Sequence, residues 1–147
     1  MKHYSKDKFN LEQSIGFLLN KARNLMVMEM DLALKELEIS SQQMGILLSL
    51  TRGVAATPFE LSKLLGIDTG LMTRMLDKLE GKGLLQRARS QEDRRVVNLT
   101  LTEKGEEVAG RIPEIAPAVL NARLENFTAQ EFQDLRRLLR KFSDAES

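Results

Sequence analysis

No cysteine occurs among the 147 residues, and there is a single histidine and only three prolines. The missing thiols exclude disulfides, thiol redox switches and cysteine-based metal sites. The one histidine, His3, lies in the polar opening stretch MKHYSKDKFN, where an imidazole is solvated rather than built into a site. There is no glycine-rich phosphate loop and no cluster of His, Asp and Glu at metal-ligand spacing. The parts an enzyme needs are therefore missing, and no cofactor or metal is expected. Apolar runs all fall short of the roughly 18–20 residues that span a bilayer, and the opening stretch has no apolar signal-peptide core. The expectation is a cytoplasmic protein that is not an enzyme.

Net charge is +1, too small to imply a partner, but it is unevenly spread. Residues 51–105 carry ten basic and seven acidic side chains, against six of each before them and six basic with eight acidic after them. Within Lys82–Arg95 there are five basic and two acidic side chains. Such a patch suits an anionic partner, and a solvated surface equally well.

Along the chain, Leu11, Ile15, Leu18, Ala22, Leu25 and Met26 recur at helical spacing. They predict one long helix from Phe9 to about Glu38, with an apolar face broad enough to require a partner surface. The stretch EISSQQMGILLSL restarts a helix at Ser40 or Ser41. Thr57 then offers an N-cap, Pro58 the first helical position and Glu60 a capping box, and Gly66 ends that short helix. Asp68 caps the next helix, TGLMTRMLDKLE. Leu71, Met72, Met75, Leu76 and Leu79 take one side of it, and Thr69, Gly70, Thr73, Arg74, Asp77 and Lys78 the other. Two short helices joined by a tight glycine turn have helix-turn-helix spacing.

The period then changes. Leu84–Arg89 and Arg95–Leu101 read as strands, joined by the five residues SQEDR. A hairpin directly after a helix pair is a wing, and the combination points to DNA. Thr102 caps a further helix that Pro113 and Pro117 are expected to interrupt. Thr128 and Glu131 open a last helix with Phe132, Leu135, Leu138, Leu139 and Phe142 on its apolar face. The fold class is mainly α with a small β-hairpin wing, and the winged helix-turn-helix lobe covers residues 40–105.

The segment TPFELSKLLGIDTGLMTRMLDKLEGKGLLQR followed by DRRVVNLTLTEKG resembles the MarR family of bacterial winged-helix regulators. The family's wing signature matches Asp93, Arg95, Leu101, Thr102 and Gly105, and the resemblance extends over about residues 9–142. It implies one MarR-type domain over residues 1–147, with residues 9–38 and 106–142 forming a helical dimerisation region. It also implies a homodimer that binds a double-stranded, pseudo-palindromic DNA operator. Such a protein is commonly a repressor, released by a small aromatic-acid or phenolic ligand. The alternative is a winged-helix protein-interaction module that binds no DNA.

Site roles follow from that resemblance. Thr69, Gly70, Thr73 and Arg74 would face the major groove, and Thr57 and Ser62 the phosphates. Arg95 would enter the minor groove, with Asp93 orienting it and Arg94 on the backbone. A surface ion pair that only staples the hairpin is the other reading of Asp93 and Arg95. Thr73, Arg74 and Arg87 match positions that contact carboxylate ligands in relatives; alternatively, Arg87 touches only phosphate or solvent.

Overall fold

The computed structural model describes residues 1–144; the last three residues of the expected domain lie outside them. Helix α1 spans Ile15–Ala33 and runs on into a 3₁₀ turn at Leu34–Leu37. It does not reach back to Phe9. The Ser14 hydroxyl accepts the Phe17 N–H, and Asn10 caps a separate 3₁₀ turn at Leu11–Gln13. Apolar spacing continues through this segment, but Ser and Asn side chains offer nearby N–H groups a non-helical partner. The Tyr4 hydroxyl also accepts the Ile15 N–H at 2.8 Å, which ties the N-terminal segment to the start of α1.

Helix α2 (Ser41–Arg52) starts at a complete capping box between Ser40 and Gln43 and stops at Gly53, whose φ is 67°. Helices α3 (Pro58–Leu65) and α4 (Thr69–Gly81) follow, joined through Gly66 at φ 64°. The expected capping box at Thr57 forms only in half. Thr57 Oγ1 accepts the Glu60 N–H, while the Glu60 carboxylate takes the N–H of Ala56 instead of that of Thr57.

Strands β1 (Leu85–Arg89) and β2 (Val97–Leu101) pair antiparallel, Leu85 opposite Leu101 and Arg89 opposite Val97. The connecting loop is residues 90–96, longer than expected, because Arg95 and Val96 belong to the turn. The Arg95 N–H bonds Asp93 Oδ1 and the Val96 N–H bonds the Asp93 carbonyl. The Leu99 N–H donates to the Ala56 carbonyl at 2.8 Å, anchoring the wing to the loop before α3.

Helix α5 runs unbroken from Glu103 to Arg123, so Pro113 and Pro117 do not interrupt it. Four residues apart, both prolines share one exposed face, while Ala109, Ile112 and Ala116 pack inward. The missing N–H groups thus fall on the solvent side, and core packing holds the helix together across them. Helix α6 (Ala129–Ser143) opens on a complete Thr128–Glu131 capping box and buries none of its residues.

One core unites α1 to α5 and the wing. Leu34, Ile46, Leu47, Leu61, Met72, Leu76 and Ile112 are fully buried in it, each worth about 1.5–3 kcal/mol of transfer free energy. Where α4 ends, three successive carbonyls receive donors from the start of α5. Lys104 Nζ bonds the Lys82 carbonyl, the Thr102 hydroxyl that of Gly83, and the Thr102 N–H that of Leu84. Gly105, one turn into α5, lies so close that a Cβ there would sit 1.9 Å from the Leu84 carbonyl oxygen. Gly105→Ala should therefore destabilise the protein by about 1–3 kcal/mol or more in urea denaturation. Gly110→Ala, in open space on the same helix, should be neutral or stabilise by about 0.5–1 kcal/mol. Equal effects at the two positions would contradict the close packing.

Candidate nucleic-acid interface

Helix α4 divides as its sequence pattern predicts. Met72, Met75, Leu76 and Leu79 are buried and Leu71 half-buried, while Thr69, Gly70, Thr73, Arg74, Asp77 and Lys78 are exposed. Asp68 Oδ1 accepts the Leu71 N–H at 2.9 Å, fixing the helix start. A Cβ on Gly70 would lie 3.3 Å from that same oxygen, so glycine keeps the cap uncrowded. The Thr73 hydroxyl donates to the Thr69 carbonyl at 2.9 Å, and the side chain is exposed. Arg74 is exposed and forms no ion pair among the described residues.

At the start of α3, Thr57 is half-buried, with its hydroxyl engaged in the cap. Ser62 departs from the expectation. Its Oγ is buried without a hydrogen-bond partner, so it does not face outward toward a phosphate. The resemblance implied a phosphate contact there, but the hydroxyl turns inward.

The wing loop is held by its own polar groups. Ser90 Oγ accepts the N–H groups of Glu92 and Asp93, and the Ser90 N–H bonds the Val96 carbonyl at 2.8 Å. Asp93 grips Arg95 in a fork, Oδ1 to Nε at 3.1 Å and Oδ2 to Nη2 at 3.2 Å, and Oδ1 also takes the Arg95 N–H. The Arg95 side chain is nonetheless 91% exposed, its guanidinium held along the Nε–Nη2 edge and still facing solvent. Arg94 is exposed beside it, and its carbonyl accepts from Arg89 Nη1. The Arg95 side chain, then its N–H, holds the Asp93 carboxyl below the usual carboxylate range.

Arg87 is paired within the chain while remaining partly exposed to solvent. Its Nη2 lies 2.6 Å from Asp77 Oδ1 and its Nε 2.8 Å from Glu80 Oε2, both on α4. Hydrogen bonds to Glu80 and then Asp77 raise its pKa. The guanidinium is therefore paired with two carboxylates of α4, the helix that carries Thr73 and Arg74. A different cleft, of about 620 Å³, opens between α1, α2 and the start of α4. Met26, Met30, Met44 and Leu71 supply apolar wall, with Arg23 on α1 and Asp68 among its polar lining. Arg23 precedes Val27 and Met30 by one and two helical turns, which puts the three on one face of α1.

The MarR family pattern matches residues 39–97. The multiple antibiotic resistance protein MarR of Escherichia coli is 32% identical over 136 residues, covering 92% of this chain and 94% of its own. A crystal structure of a variant of that protein complexed with operator DNA superposes with a TM-score of 0.83, at 30% identity and covering 93% and 99% of the two chains. BpsR of Bordetella bronchiseptica, whose DNA binding is regulated by 6-hydroxynicotinic acid, shares the fold at TM-score 0.84 and 23% identity, covering 94% and 99%.

Because the Asp93 value is depressed in the folded chain, the pairing is complete above the ordinary aspartate range and is lost as pH falls through the depressed value. An NMR titration of the Asp93 carboxyl should give a midpoint below the usual range, rising toward it in Arg95→Ala. An unchanged midpoint in the variant would contradict the fork.

Proposed function

The chain belongs to the MarR family and is a DNA-binding transcription regulator; we propose that it acts as a cytoplasmic homodimeric repressor, released from a pseudo-palindromic operator by a small aromatic or phenolic ligand. One observation carries the reading: an exposed polar face at the start of α4 shares a lobe with a wing tip that presents a carboxylate-oriented arginine. Thr69, Gly70, Thr73 and Arg74 meet base edges in the major groove. Arg95 enters the flanking minor groove, where narrow A·T-rich sequence deepens the negative potential. Arg94 and the N-terminus of α3 at Thr57 meet phosphates. The exposed cations Arg74, Lys78, Arg89, Arg94 and Arg95 speak against a protein-interaction module without DNA. No catalytic role is assigned.

Residues 40–105 form the DNA-binding lobe, and residues 9–38 with 106–142 the dimerisation region. Large apolar side chains stand exposed on both helical flanks, including Leu18, Met28 and Leu32 of α1 and Leu138, Leu139 and Phe142 of α6. Faces of that size on one protomer call for a partner. The effector occupies the cleft beneath α1, its anionic group on Arg23 and its ring among the methionines. A ligand there touches both α1 and the start of the DNA-reading helix, so its binding and operator binding are coupled.

Binding to a duplex of the gene's own upstream region should weaken steeply with salt, as phosphate neutralisation requires. Arg95→Ala should cost about 1–3 kcal/mol of operator binding with dimerisation and melting nearly unchanged; a large loss of thermal stability would make Arg95 structural. Truncation after Phe127, which removes α6, should abolish the dimer in analytical ultracentrifugation, and a truncated chain that still sediments as a dimer would contradict the dimerisation role of that flank.

A further inference from the structure

The outward face of α4 that carries Thr69, Thr73 and Arg74 continues toward the C-terminus into Asp77 and Glu80, both exposed. Carboxylates on a face that enters a phosphate-lined groove repel the ligand, and the low dielectric of a closed interface strengthens that repulsion. Lys78 lies between them in sequence, but makes no ion pair with either. Arg87 does, reaching from β1 across to both acids at 2.6 and 2.8 Å. Its side chain is 31% exposed, and those of Asp77 and Glu80 are 56% and 42% exposed. Surface ion pairs of this kind add little stability, so folding does not explain why one guanidinium is spent on two carboxylates.

We propose that Arg87 is a charge-masking residue for operator binding: it holds Asp77 and Glu80 so that the DNA-reading helix approaches phosphate with one uncompensated negative charge instead of two, and does so without touching the DNA. The inference rests on the DNA-binding reading above. It makes Arg87 a positioning residue acting through α4, in place of a ligand anchor. The same contacts join the first wing strand to the helix, so a purely mechanical brace is the competing role. The two roles separate on rescue, because neutralising the acids removes the repulsion but cannot restore a brace.

The test is fluorescence anisotropy of the full chain on a labelled duplex of the gene's upstream region at one fixed salt concentration. Arg87→Ala should bind about tenfold more weakly with its melting temperature little changed. The combination of Arg87→Ala, Asp77→Asn and Glu80→Gln should recover to within about threefold of wild type. Asp77→Asn with Glu80→Gln in the presence of Arg87 should bind at least as tightly as wild type. Unchanged affinity in Arg87→Ala, a triple variant as weak as Arg87→Ala, or weaker binding by the double variant would each overturn the proposal. Failure of the wild type to bind the duplex is a separate result, which sinks the DNA-binding reading and the masking role with it.

Discussion

The close approach of α5 to the exit of α4 is the contact on which the rest of the structure depends. A helix ends with carbonyls that have no partner within it. Those of α4 are met locally by the N–H groups of Lys82, Gly83 and Leu84, whose own carbonyls, just past the helix, are met by Lys104 and Thr102 at the start of α5. Thr102 works in both directions, since its hydroxyl also accepts the Gly105 N–H and caps its own helix. Gly105 permits the approach because no side chain stands between it and the Leu84 carbonyl. The Leu-Thr-x-x-Gly part of the family signature therefore has a local physical cause: it welds the wing and α4 to the long helix that leads into the proposed dimer region.

That weld gives the lobe a defined geometry relative to its flanks. Arg111 and Arg123 add ion pairs from α5 to Glu36 and Glu29, so α5 and the end of α1 form one frame. The charges of the lobe divide into distinct duties on that frame. Asp93 spends its carboxylate on aiming Arg95, Asp68 spends its own on starting α4, and Asp77 and Glu80 are held by Arg87. Arg74, Arg94 and the tip of Arg95 are left facing out. A net charge of +1 hides this arrangement, because acids engaged within the chain cancel the cations left exposed.

Much of the lobe was legible because its signals are local. Thr57, Asp68, Thr102 and Thr128 each cap the helix their position announces, and the 3.6-residue period of α4 separates buried from exposed faces. Errors arose where a nonlocal or competing interaction decided. The apolar period before Ile15 loses to the caps at Asn10 and Ser14, and the prolines of α5 are tolerated because their face is solvent. Arg95 and Val96 alternate like a strand but are claimed by the Asp93 turn. Arg87 finds its partners on another element, seven and ten residues earlier, which no periodicity reports. The cleft beside Arg23 is likewise nonlocal, existing only once α1 lies over α2 and α4.

The central claim is that two such lobes read a symmetric duplex from a fixed dimeric frame. Hydroxyl-radical footprinting of the gene's upstream region tests it most directly. The account predicts two protected half-sites about 10 base pairs apart, related by a two-fold axis, with minor-groove protection at both outer flanks where the Arg95 side chains lie. A single asymmetric footprint, or none, would contradict it.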